Sequence, residues 1–367
     1  MVWKYQAAAA MTLGMAALGV QGVTTNYSST VDPTKLNIPN IPQTTSHDVA
    51  AQCQYYQPPF TLNPKEWPTS WEIATSNGMN TSAEFTALYN SIDWTKAPNI
   101  QPKTLSAEGG LNLQGYDVQG DKDCWWSASQ CTKPKAADVN PDIVQCLEPN
   151  TWGLTYDDGP NCSHNAFYDF LEQNQQKASM FYIGSNVIGW PYGAMRGLKD
   201  GHHLAGHTWS HKLMTTLTNQ EVLAELYFTS KAIKYVTGVT PLHWRPNYED
   251  FIAMGSNGTF NTVGNIVLSH EINNMTMDFA VQNYPAIKKN YKHVVDVATC
   301  MNISNPYIEK SITYPTFDQL VSKNGSTVTG SGVSPAASGS SSSMGAQTTV
   351  NAALFIAALF GVGASLF

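Results

Sequence analysis

Two short stretches hold residues whose types and spacing could do chemistry. In TYDDGP, Thr155 to Pro160, Asp157 and Asp158 stand side by side where a hydrophobic run ends. Adjacent ionised carboxylates repel each other unless a proton or a cation lies between them. In GHTWSH, Gly206 to His211, two histidines, His207 and His211, are four residues apart. On a helical turn, imidazoles at that spacing point the same way and can share one cation. One Asp with two His makes a three-ligand site with room for water, the donor set of a catalytic rather than a structural zinc. Each stretch alone has a plainer reading, a polar turn or a pair of surface histidines. Their combination is more specific than either.

The flanking pattern supplies the elements that must position them. TWGLTY reads as a strand running into the DDGP turn, and Phe167, Phe170 and Leu171 then fall at helical spacing. MFYI reads as the next strand. Thr218 and Glu221 form a capping box, Val222, Leu223 and Leu226 an apolar helix face, and Gly238 a stop. LHW and NIVL read as further strands, with Arg245 after the first and His270 after the second. Strand–helix alternation predicts an α/β fold with a parallel sheet, open or closed into a barrel. In such folds chemistry collects at the carboxyl ends of strands, so Asp157, Asp158, Arg245 and His270 can converge.

Composition sets the setting. The chain has 367 residues, 42% hydrophobic, 13% charged, with a net charge of −7 and no basic run, which argues against a nucleic-acid partner. Residues 1–22 follow a signal-peptide pattern. Residues 111–310 hold the domain, and the Thr/Asn/Pro-rich arm at 23–110 is expected to be loosely ordered and to pack against it. The Ser/Gly-rich stretch 311–349 reads as a stalk, and the apolar 350–367 as a cleaved glycolipid (GPI) anchor signal. Six cysteines suit a secreted chain with up to three disulfides, in any of fifteen connectivities. Seven glycosylation triplets, at Asn26, Asn80, Asn161, Asn257, Asn274, Asn302 and Asn324, agree with secretion.

These motifs resemble those of the NodB-type polysaccharide deacetylases, most closely the GPI-anchored fungal chitin deacetylases. TYDDGP matches the first family motif, HTWSH the second, RPNYED the third and LSH the last, over roughly Gly115–Asp250 and Gly258–Asn305. The resemblance implies a distorted (β/α) barrel and removal of acetyl groups from chitin and N-acetylglucosamine oligomers, at the outer face of the plasma membrane. It implies that Asp158, His207 and His211 hold Zn²⁺ or Co²⁺, and that Asp157, kept ionised by Arg245, is the general base. By the same resemblance the Tyr248 N–H would hold the oxyanion and His270 would protonate the leaving amine. Trp125, Trp126 and Trp209 could stack on sugars, although tryptophans in a large domain are more often core. His202 and His203 read as structural or exposed.

The sequence departs from the family between the third motif and His270. Only nineteen residues, Phe251 to Ser269, lie there, with no Asp or Glu among them. The family's Asp-Trp motif and a β/α segment have no room, because a parallel crossover alone takes a dozen or more residues. The Asp93-Trp94 pair lies on the wrong side, and Asp296 has only nearness in sequence to recommend it. An incomplete barrel with bare sheet edges and helix faces is expected, and with it an impaired or inactive chitin-binding or scaffold protein as the alternative to an enzyme.

Overall fold

Thr151–Asp157 (β1) is built of β-branched, aromatic and small residues and is buried along nearly its whole length, which suits the centre of a parallel sheet. The computed structural model describes residues 31–38, 48–53, 62–97, 99–107, 109–135, 140–245 and 263–322. The expected leader, the anchor signal, the stretch 323–349 and Tyr248 lie outside them, as do the triplets at Asn26, Asn257 and Asn324. With Ser179–Tyr182 (β2), His203–Gly206 (β3), Asn265–Val267 (β4) and His293–Val295 (β5), β1 forms a five-stranded sheet ordered β3-β2-β1-β4, with β5 also on β1. Every pairing between these strands is parallel.

Register explains how one strand takes three partners. Trp152 and Gly153 pair with β4 and β5 at once, so those two lie on opposite edges of β1. Thr155 to Asp157 pair with β2, while a bridge from Asp157 to His270 continues the β4 edge. β2 and β5 therefore share one edge, end to end. Gly153 is required where β4 crosses: a Cβ there would lie 2.8 Å from Ile266 Cγ1 and 3.0 Å from Cys146 Sγ.

Besides the short helices Val49–Cys53 and Trp126–Ser129, the chain forms, in order, Ala83–Asn90 (α1), Asn165–Gln173 (α2), Gly184–Gly189 (α3), Pro191–Lys199 (α4), Asn219–Thr237 (α5), Asn274–Asn290 (α6), Val297–Cys300 (α7) and Phe317–Ser322 (α8) among the described residues. α5 begins and ends as its sequence predicts, with a reciprocal Thr218–Glu221 capping box and a left-handed Gly238. The arm is ordered where it is described: Trp67, Phe85 and Leu88 are buried in the main core with Tyr227 and Phe228 of α5. Packing also runs past residue 310, where Ile312, Tyr314 and Phe317 are buried. Disulfides join Cys53–Cys162, Cys124–Cys131 and Cys146–Cys300, so all six cysteines are paired. Among the described residues no helix is long and apolar enough to cross a membrane.

The barrel is not closed. LHW contributes a single bridge, Trp244 to Gly206, and among the described residues no strand pairs with the far edge of β4. Ile272, just before α6, and Met275 and Phe279 in its first turns are 54%, 73% and 58% exposed, an apolar stripe of the kind a missing segment would leave bare. Asp296 does not replace the missing aspartate: it caps α7, its carboxylate engaged by Thr299 N and Oγ1.

His202 and His203 are buried and His243 is half-buried, and desolvation pushes His202 down to about 3, His203 well below its usual value and His243 to about 4. Folding depresses these pKa values, so the unfolded chain gains protons as pH falls below about 6.5 while the folded one does not. Each ring thus removes stability from pH 6.5 downward until its folded pKa is reached. Buried carboxyls with raised pKa, Glu225, Glu271 and Asp296, act in the opposite sense. A variant isolates one ring: His202→Gln is expected to shrink the stability difference between pH 7 and pH 5 by about 2 kcal/mol, read by denaturant unfolding.

Candidate metal centre

Parallel strands deliver the site from their carboxyl ends. Asp157 ends β1 and Asp158 follows it; β3 ends at Gly206 and hands over to His207. Arg245 follows the Trp244 bridge, and His270 is bridged to Asp157. These strand ends and bridges lie next to one another.

The two histidines do not meet through helical spacing. Residues 207–211 form a loop, with left-handed backbone at Thr208 (φ 68°) and His211 (φ 58°), and the imidazole centroids lie 4.9 Å apart. Asp158 is also left-handed, at φ 77°. Such backbone costs roughly 1 kcal/mol or more per non-glycine residue and persists where its surroundings over-determine it. Here Asp158 N–H donates to the Phe181 carbonyl, Asn186 Nδ2 donates to the Asp158 carbonyl, and His211 N–H donates to Thr208 Oγ1.

The donor set fits a divalent cation. Asp158 Oδ1 lies 2.9 Å from His211 Nε2 and 3.3 Å from His207 Nε2, yet both buried carboxylate oxygens lack a hydrogen-bond partner among the described residues. Close approach without hydrogen-bond geometry is what three ligands aimed at one point produce. His207 Nδ1 donates to the Arg245 carbonyl at 2.6 Å, which leaves the Nε2 lone pair to face Asp158. Burial alone would raise the Asp158 carboxyl, but His207 and His211 hold it well below the usual carboxylate range. Burial would lower the His207 imidazole, and Asp157 with Asp158 raises it instead. The pocket thus favours positive charge. Its open side is at His211, whose side chain is 28% exposed.

Asp157 is held apart from this ligand set. Arg245 Nη1 donates to its Oδ1 at 2.6 Å and to Thr155 Oγ1 at 2.8 Å, while the guanidinium lies 4.1 Å from the centre of the Phe181 ring. Asp157 Oδ2 is left facing His207 Nε2, 3.7 Å away. One carboxylate faces the imidazoles and the other is neutralised by a guanidinium, which resolves the repulsion between neighbours. His270 is half-buried, and among the described residues its ring has no hydrogen-bond or ion-pair partner.

Two further carboxylates escaped the sequence reading. Glu225, inside α5, accepts from Trp209 N–H, Ser210 N–H, Ser210 Oγ and Ala74 N–H, and so pins the histidine loop to helix and arm. Glu271 accepts from Tyr168 OH and pairs with His164 Nδ1 at 2.9 Å, directly beneath Gly159, where a Cβ would lie 2.0 Å from its Oε1. The available signal was a Glu within the otherwise buried run of α5, and another next to His270. Trp125, Trp126 and Trp209 are buried, so none offers a face to a sugar; Trp209 stacks on Trp67.

Comparison with known proteins adds relatives to this geometry. Residues 145–253 match the family described as polysaccharide deacetylase. A chitin deacetylase of Amylomyces rouxii is 53% identical over 345 residues, covering 80% of this chain and 82% of that protein. A chitin deacetylase of Cryptococcus neoformans var. grubii is 38% identical over 326 residues, covering 76% and 71%. Among solved structures, the chitin deacetylase of Colletotrichum lindemuthianum is 23% identical, covers 45% of this chain and 94% of that one, and has a TM-score of 0.41. The Amylomyces alignment is 345 residues long but takes in 80% of 367 residues, about 294, so some 50 residues of that relative stand opposite nothing here.

Proposed function

This chain belongs to the polysaccharide deacetylase family, and from that premise we propose that it hydrolyses the acetamide of N-acetylglucosamine units in chitin, releasing acetate and leaving chitosan. The observation that carries the reading is the pair of neighbouring carboxylates in different surroundings, Asp158 with two imidazoles and Asp157 with Arg245. A pure binder needs neither.

Asp158, His207 and His211 would hold one divalent ion, Zn²⁺ or Co²⁺, whose Lewis acidity would lower the pKa of a water and polarise the acetamide carbonyl. Asp157 Oδ2 accepts the proton of the attacking water, because Oδ1 is occupied by Arg245. Arg245 Nη1 holds that carboxylate in place through Oδ1, and Thr155 Oγ1 fixes the guanidinium. His270, joined to Asp157 through the sheet, gives a proton to the departing amine. By family resemblance the Tyr248 N–H would hold the developing oxyanion. The leader and tail patterns, the glycosylation triplets and the three disulfides support secretion and a GPI anchor at the plasma membrane facing the wall.

The test is acetate release from a soluble N-acetylglucosamine oligomer by the purified protein, first chelated and then resupplied with Zn²⁺ or Co²⁺. Metal-dependent release is the expected outcome. The second reading, a chitin-binding scaffold, is favoured by the some 50 unmatched residues and by the bare stripe at Ile272, Met275 and Phe279. A folded, metal-binding protein that binds the oligomer and releases no acetate would favour it.

A further inference from the structure

One tryptophan remains without a structural role. Of those among the described residues, Trp71 alone is exposed, at 49%. No aromatic ring or cation among the described residues packs on its indole. Its backbone is left-handed, φ 64°, a conformation that opposes a bulky side chain. A half-exposed apolar ring on strained backbone does nothing for the core, and strain of this kind clusters where ligands bind.

The surroundings hold that backbone at the site. Trp71 N–H donates to Ser185 Oγ at 3.0 Å, and the same hydroxyl donates to the Trp209 carbonyl at 2.7 Å. Trp209 Nε1 returns a bond to the Thr69 carbonyl, and Glu225 ties Ala74 N–H to the amides of Trp209 and Ser210. One hydroxyl therefore separates the Trp71 amide from a residue two positions from both His207 and His211. The arm is fastened on either side of Trp71 to the loop that carries two of the three ligands.

We propose that the Trp71 indole is a stacking platform for a pyranose ring of the polymer next to the unit that reacts, so that the arm contributes a sugar subsite. The occupant is set by position, since a polymer seated at the candidate metal centre extends beyond it, and by chemistry. The C–H face of a pyranose is apolar and flat enough to cover an indole, and its rim of hydroxyls stays in water. The inference rests on the carbohydrate reading of the site but not on catalysis.

The test uses metal-loaded full-length protein and N-acetylglucosamine oligomers of two to six units, with binding followed by calorimetry and turnover by acetate release. Trp71→Asn keeps a residue that accepts left-handed backbone, and Trp71→Tyr keeps an aromatic face. We expect Trp71→Asn to weaken hexamer binding about tenfold, to leave the dimer little changed, and to leave metal content and melting temperature as in the wild type. Trp71→Tyr restores most of the affinity. If the wild type binds hexamer but releases no acetate, and Trp71→Asn still weakens binding, the subsite stands while the enzyme reading falls. Equal hexamer affinity in wild type and Trp71→Asn, an equal loss at every chain length, or a wild type that binds no oligomer would overturn it.

Discussion

Asp157→Asn lowers acetate release by about 10²- to 10⁴-fold while the protein still binds one equivalent of metal, as expected for loss of a general base. Amide and carboxylate are nearly the same size, so the buried β1 terminus keeps its packing and its bridge to His270. The amide oxygen can still accept from Arg245 Nη1, which also retains Thr155 Oγ1. What disappears is the second oxygen's ability to take a proton, and no other carboxylate among the described residues is placed to replace it: Asp158 faces the two imidazoles. Acetate assays on the metal-replete variant, with metal measured by atomic absorption, make the comparison. Wild-type rates would show Asp157 to be only a brace for Arg245.

His207→Ala is expected to lose activity for a different reason, because the ion no longer binds. The substitution removes one of three ligands and vacates the Arg245 carbonyl that orients it. Loss of outer partners alone costs roughly 10- to 100-fold in metal affinity, and a direct ligand costs more. Competition against a chromophoric chelator should show Zn²⁺ affinity down by at least about 100-fold. Excess metal separates the two variants. It should recover part of the activity of His207→Ala and none of that of Asp157→Asn. If His207→Ala bound metal like the wild type, Asp158 and His211 would have to find their third ligand elsewhere.

The capping box at Thr218 and the stop at Gly238 could be read in advance, because a helix end depends on hydrogen bonds within a few residues of itself. The strands TWGLTY, MFYI and NIVL were legible for the same local reason, as was the short interval before His270. The H-x-x-x-H spacing was legible as a pair but misread as a helical turn. Its convergence depends on left-handed backbone at Thr208 and His211, and that backbone is held by Glu225, fourteen residues further on. Nor could the Cys53–Cys162 and Cys146–Cys300 disulfides, the burial of Trp209 against Trp67 or the Glu271–His164 pair be found by spacing, since each joins residues more than a hundred positions apart.

Which groups could do chemistry was legible before folding: two carboxylates, a guanidinium and His270, each after a run that reads as a strand, and the His207–His211 pair between them. Side-chain chemistry and local periodicity belong to the chain before it folds. Tertiary structure decided which carboxylate faces the imidazoles and which faces Arg245, that the arm reaches the histidine loop, and that Trp71 rather than Trp125, Trp126 or Trp209 meets solvent. Those outcomes depend on distances between segments remote in sequence, which parallel strands laid side by side, and the arm fastened to α5 and the histidine loop, bring within hydrogen-bonding range.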